Sequence, residues 1–167
     1  METPAMNRIA VVVLALTVLV SGRLTLTAQE TAKPAVFTSA QAEAGRTAYA
    51  SSCGKCHTYS LLGRSGQEGE LPPVSGLPEA YQDFIRKSGR VPPLAGKAFL
   101  SRWGQRTAGE LIARFQITAS DPFFQFEGMD DDTVVKITAY VLKMNGAKPG
   151  TQPLTRTTNV VINSIVE

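Results

Sequence analysis

Cysteine and histidine are scarce in this sequence. Its 167 residues include two cysteines and one histidine, and all three lie between positions 53 and 57. A structural zinc site normally takes four such ligands, and no second pair is present to complete one. Basic residues do not cluster with interleaved aromatics either, so nucleic acid is not an expected partner.

Long apolar runs are also scarce. The longest covers residues 9–20, which is too short for a comfortable membrane span. It follows Arg8 and precedes small residues, a pattern typical of a secretory signal peptide. We predict a signal peptide over residues 1–28, cleaved after Ala28, and a periplasmic or otherwise exported mature protein. If the signal peptide is not cleaved, residues 9–20 would anchor the chain in the membrane. If it is cleaved, no membrane span is expected.

The first part of the mature chain reads as an extended lead-in followed by a helix. The lead-in covers residues 29–37, and Thr38 or Ser39 can cap a helix over residues 40–50. Gly45 lies on this helix. The helix runs directly into the segment that holds both cysteines.

Residues 58–91 are rich in glycine and proline and look irregular. Pro78 can begin a short helix that extends to about Lys87. Its apolar side chains, expected to face inward, are Tyr81, Phe84 and Ile85. A connection of this length is usually functional or poorly ordered.

Two further helices are indicated in the second half of the chain. Thr107 and Glu110 form a capping box before the first of them. The last helix covers residues 133–145, begins behind three aspartates and ends at Gly146. Its apolar stripe is Val134, Ile137, Val141 and Met144. The tail, residues 147–167, is interpreted as disordered or as a strand added to a partner or to this domain.

The segment Cys-Gly-Lys-Cys-His, residues 53–57, is the strongest chemical signal in the chain. Cysteines three positions apart on one helical turn can each add to a haem vinyl group, and the adjacent His57 can then ligate the iron. A dithiol redox site would need a preceding strand, whereas residues 40–50 look helical. A structural disulfide would leave His57 without a role. One covalently bound haem c is therefore the prediction.

Motifs beyond this segment resemble those of the small monohaem cytochrome c domains associated with quinoprotein alcohol dehydrogenases. In order along the chain they are Gly45-x-x-x-Tyr49, Cys53-x-x-Cys56-His57, Pro92-Pro93-Leu94-Ala95-Gly96, Phe99 with Trp103, Thr107-x-x-Glu110, and Tyr140 with Asn145-Gly146. The resemblance implies an all-α cytochrome c fold of about three to five short helices around one haem, with the first and last helices crossing. The domain would cover residues 38–146, with residues 58–91 as an insertion.

The resemblance also implies roles for single residues. The carbonyl of Pro92 would accept a hydrogen bond from the His57 ring, with Pro72 as the rival acceptor. Leu94 would pack on the haem. Trp103 would either reach a haem propionate or simply pack in the core. Where the first and last helices cross, Gly45 would allow close approach and Tyr49 would meet Tyr140.

The expected sixth iron ligand is missing. Where the family has methionine, this sequence has Ala119. The interpretations that stay open are Met129, Met144, another side chain and an open position. Methionine ligation would suit electron transfer, and an open position would suit gas binding.

The expected function is single-electron transfer, by an electron carrier rather than an enzyme. The chain would act alone or as the electron-transfer subunit of a dehydrogenase. Its partners would be redox proteins, such as a quinoprotein dehydrogenase or a terminal oxidase. A five-coordinate, gas-sensing haem protein is the alternative, and a non-haem dithiol oxidoreductase ranks below it.

Overall fold

Residues 33–67, 69–124 and 126–166 are described by the computed structural model, and in these ranges the chain is helical. β-Structure there is limited to three isolated bridges. The α-helices of these ranges are α1 (Ser39–Ser51), α2 (Gly54–His57), α3 (Glu79–Ser88), α4 (Lys97–Trp103), α5 (Ala108–Ala119) and α6 (Asp131–Met144). The all-α prediction is confirmed, but six helices exceed the expected three to five.

The first and last helices cross closely. A Cβ atom at Gly45 of α1 would overlap the carbonyl oxygen of Lys136 in α6, so only glycine allows this approach. Further along the crossing, the rings of Tyr49 and Tyr140 lie 5.4 Å apart. The crossing expected from the sequence is therefore present, and it forms the centre of the core.

The helix termini follow the sequence signals. Thr38 caps α1 and Thr107 caps α5, each in a capping box. Asp130 caps α6 by accepting from the backbone N–H of Thr133. Gly146 follows α6 with φ 94°, the left-handed conformation expected of a glycine after a helix.

The insertion, residues 58–91, contains one regular helix, α3, close to its predicted bounds. Ile85 is buried as expected and Tyr81 is partly buried, but Phe84 is 39% exposed. The side chain of Phe84 is therefore more exposed than predicted. Its ring packs against Phe123 and Phe124 at the surface, because α3 meets the loop before α6 along that edge.

The C-terminal tail packs on the helical core. Val160 and Ile162 form backbone hydrogen bonds with the chain around Thr107, where Val161 makes an antiparallel bridge. Ile162 and Ile165 are buried. Of the interpretations offered for the tail, the structure favours addition to this domain, as a bridge rather than a strand.

Two expectations about helices are corrected. Helix α4 was not predicted, because no side-chain cap marks its start after Gly96. Met144 was assigned to the buried stripe of α6 but is 44% exposed, since it lies in the last turn, where Gly146 redirects the chain.

Three predictions fall wholly or partly outside the described residues. These are the signal peptide over residues 1–28, the anchor over residues 9–20 and the start of the lead-in, residues 29–32. In the described part of the lead-in, residues 33–36 have no regular structure and Phe37 is buried. Among the helices described, none is long and apolar enough to span a membrane.

Candidate functional site

The two cysteines and the histidine sit on one short helical turn. Cys53 precedes α2, and its carbonyl accepts from the backbone N–H groups of Cys56 at 3.2 Å and His57 at 2.8 Å. Both thiols are free. This turn therefore presents both sulfur atoms and the imidazole toward one cavity.

Tyr49 holds the far end of this turn in place. Its hydroxyl donates to the carbonyl of Thr58 at 2.8 Å, and both residues are buried. Thr58 has φ 65°, a left-handed conformation that a non-glycine residue adopts only where its surroundings enforce it. The hydrogen bond from α1 thus helps to fix the chain just after His57.

The His57 ring is oriented by Pro92. Nδ1 of His57 donates to the Pro92 carbonyl at 2.8 Å, the contact that the resemblance implied. Pro72, the rival, accepts instead from Arg64. Because a carbonyl only accepts, this bond places the proton on Nδ1 and leaves the Nε2 lone pair available for a metal. Burial also lowers the pKa of His57, although the bond to Pro92 opposes this, so the neutral ring is favoured.

The cavity in front of His57 has a volume of about 440 Å³, within the range typical of cofactor sites. Most of its lining is apolar. Aromatic and aliphatic side chains that line it include Phe84, Leu94, Phe99, Phe115, Phe124 and Phe126. Trp103 lines it as well, so all the predicted site residues on the His57 side meet here.

Asn145 fixes the turn that carries Pro92 and Leu94. Its side-chain amide donates to the carbonyl of Leu94 at 2.9 Å and accepts from the N–H of Gly96 at 3.0 Å. Asn145 belongs to the motifs of the family resemblance, but no role was predicted for it. Its place at the end of a buried helix stripe is the signal that could have suggested one.

Ala119 and Met129 also line the cavity. Ala119 stands where the family pattern has methionine, and no sulfur reaches the cavity from that position. Met129 is partly buried and packs against the main core. Met144 does not line the cavity, and its exposure removes it as a candidate ligand.

Three arginines at the cavity were missed by sequence reasoning. Arg90, Arg102 and Arg114 line it, and each is an exposed residue. They come from the end of the insertion, from α4 and from α5, so no local pattern groups them. Trp103 also makes a cation–π contact, because the guanidinium of Arg106 lies 5.3 Å from its ring centroid. The guanidinium groups at the rim of the cavity are therefore suited to binding the carboxylates of a ligand.

The thiols themselves are not activated. Burial raises the pKa of the Cys53 thiol and of the Cys56 thiol, although Arg64 and Lys55 oppose the shift at Cys56. Across the described ranges, no group of three or more histidine, cysteine, aspartate or glutamate side chains could hold a metal ion. Cys53, Cys56 and His57 thus offer two thiols and one imidazole to a ligand in the cavity.

Comparison with protein-family models, with curated proteins and with solved structures found no match.

Proposed function

We propose that this chain is an exported monohaem c-type cytochrome that transfers single electrons. The observation that carries the proposal is the arrangement of Cys53, Cys56 and His57 around one apolar cavity, with the His57 ring already oriented by Pro92. Two thiols and an imidazole lone pair are the groups that attach and ligate haem c. The helical structure of the described residues, with α1 crossing α6, supports a cytochrome c fold.

Each residue around the cavity has a part in this proposal. Cys53 and Cys56 would form the two thioethers, and His57 would ligate the iron through Nε2. Pro92 holds the ring and increases its basicity as a ligand. Leu94 supplies an apolar surface in front of His57. Trp103 and the rim arginines, Arg90, Arg102 and Arg114, offer N–H donors to the two propionates.

Electron transfer fits this set of residues because it requires a bound haem in an apolar cavity and no further reacting side chain. Haem c supplies a one-electron couple, and the chain determines its ligation, burial and access to partners. Redox proteins are the proposed partners, a quinoprotein dehydrogenase or a terminal oxidase being the types that the family resemblance suggests. Thioether attachment takes place outside the cytoplasm, which agrees with the signal peptide predicted over residues 1–28.

Burial of the two thiols speaks against the dithiol oxidoreductase. Reactive dithiols depend on a thiolate whose pKa is lowered, usually beside cations or a helix N-terminus. Here burial raises the pKa of both Cys53 and Cys56. The segment before them is also α1, a helix, rather than the strand that such a fold requires.

Met129 is the proposed sixth ligand. It lines the cavity that His57 faces, whereas Met144 lies outside it. Ligation by histidine and methionine raises the reduction potential and suits electron transfer. The gas-binding alternative rests on Ala119, because the usual methionine position places no donor in the cavity.

Single-cysteine variants test the attachment. We expect Cys53→Ala and Cys56→Ala each to retain haem through one thioether, with the pyridine haemochrome band shifted because one vinyl group stays unreacted. The double variant should lose covalent haem entirely. A wild-type spectrum that shows free vinyl groups would sink the proposal.

Methionine variants test the sixth ligand. Met129→Ala is expected to abolish the weak red absorption band of a methionine–ferric haem bond and to allow rapid binding of carbon monoxide to the ferrous protein. Met144→Ala is the matched control and should change neither. Carbon monoxide binding to the wild-type protein as rapid as to Met129→Ala would instead favour the open, gas-binding site.

A further inference from the structure

Arg64, in the insertion, is a buried cation to which the proposed function assigns no part. Its side chain is 2% exposed, and it is absent from the cavity lining. Nη2 donates to the carbonyl of Lys55 at 2.8 Å and to that of Pro72 at 2.5 Å. Nε and Nη1 have no hydrogen-bond partner within the described part of the chain. Burying a guanidinium with unsatisfied N–H groups lowers the free energy of unfolding unless other interactions compensate.

The backbone of Arg64 connects the turn that carries the cysteines to the segment that orients His57. Its N–H donates to the carbonyl of Val91 at 2.9 Å, and its carbonyl accepts from Val91 at 3.0 Å. The preceding Gly63 donates to the carbonyl of His57 at 3.0 Å. Val91 directly precedes Pro92, whose carbonyl orients His57. These backbone bonds therefore link the segment around Arg64 both to Pro92 and to the turn that ends at His57.

The charge of Arg64 is only partly compensated. Glu70 is its ion-pair partner, with Oε2 3.7 Å from Nη1. The other carboxylate oxygen of Glu70 accepts from the N–H groups of Ser65 and Gln67, so the pair makes a contact without a direct hydrogen bond. The guanidinium is held at the turn that carries the cysteines through the carbonyl of Lys55, so its field acts there. In a buried setting, such a field is weakly screened by solvent and salt.

We propose that Arg64 is a positioning residue that also raises the reduction potential of the haem site, through its buried charge beside the turn that carries the cysteines. This inference rests on the proposed function. Reduction adds one electron, supplied by a redox partner, and removes one positive charge from the iron without making or breaking a bond. A fixed cation nearby destabilises the oxidised state relative to the reduced one, so its removal lowers the potential. Glu70 acts in the opposite direction.

The test is a redox titration of the complete haem protein, in which the absorption spectrum reports the reduced fraction. Arg64→Met should shift the midpoint potential downward, and Arg64→Lys should restore much of it by retaining the charge. Glu70→Gln keeps an acceptor oxygen for Ser65 and Gln67 and should shift the potential upward. Arg86→Met removes an exposed arginine of the same insertion and serves as the control, with no shift expected.

The outcomes separate this inference from the proposed function. A wild-type protein without haem would overturn both. Haem-loaded Arg64→Met with an unchanged potential would overturn only the role of Arg64. If Arg64→Met fails to fold, Glu70→Gln decides the question, because an unchanged or lowered potential in that variant contradicts the electrostatic role.

Discussion

At the scale of single residues, His57 depends on a short series of contacts that begins just after α6. Asn145 holds the backbone of Leu94 and Gly96, and the turn that they belong to begins at Pro92. The carbonyl of Pro92 then fixes the tautomer of His57. The orientation of the proposed iron ligand is therefore set by contacts within the fold.

Tyr49 offers a test of how the turn after His57 is held. Tyr49→Phe removes the buried hydroxyl that donates to the Thr58 carbonyl and leaves that acceptor unsatisfied. We expect a loss of about 1–3 kcal/mol in the free energy of unfolding, measured by denaturant titration. Tyr140→Phe is the matched control on the facing helix and should lose less. Equal losses in both variants would contradict the role given to the Tyr49 hydroxyl.

Some of these residues could be found from the sequence and others could not. The cysteines and His57 form a local motif, and the family resemblance pointed to Pro92. Arg64 sits in a polar, glycine-rich stretch that suggests an exposed loop. Its burial arises from pairing with Val91, 27 positions further along the chain, and no local periodicity reports such a contact.

At the scale of elements, the crossing of α1 and α6 rests on Gly45. Alanine normally stabilises a helix relative to glycine, by about 1 kcal/mol. Here Gly45→Ala should destabilise the protein by about 1–3 kcal/mol, because its Cβ would overlap the backbone of α6 at Lys136. Thermal unfolding measures the effect. Ala44→Val, on the exposed side of α1, is the control, and a Gly45→Ala variant at least as stable as wild type would refute the close crossing.

The C-terminal tail is a second element whose contribution can be measured. Ile162→Ala should lower the free energy of unfolding by about 2–5 kcal/mol, because its side chain is fully buried. The neighbouring Val161→Ala should have a much smaller effect, since Val161 is 39% exposed. Similar losses at the two positions, measured by denaturant titration, would contradict the packing of the tail.

The elements found from the sequence are those with local signals. Capping residues marked α1, α5 and α6, and Pro78 marked α3. Helix α4 begins after Gly96, at φ 78°, without a side-chain cap, and it was missed. The tail carries apolar residues that suit a strand, and only its contacts with the chain around Thr107 show where it packs.

At the scale of the whole molecule, the cavity is assembled from segments far apart along the chain. The cysteines come from the turn that includes α2, Leu94 from the turn that begins at Pro92, Trp103 from α4 and Met129 from the loop before α6. The insertion contributes Phe84 to one edge. Sequence reasoning identified most of these side chains singly, but the arginines at the rim emerged only from the three-dimensional arrangement.

The central claim is that one haem is covalently attached through Cys53 and Cys56. The most direct test is the intact mass of the protein, purified from cells that mature c-type cytochromes and measured under denaturing conditions. The account predicts the mass of the chain plus one haem, with the added mass on the peptide that contains residues 53–57. A colourless protein with the mass of the polypeptide alone and two free thiols would contradict it.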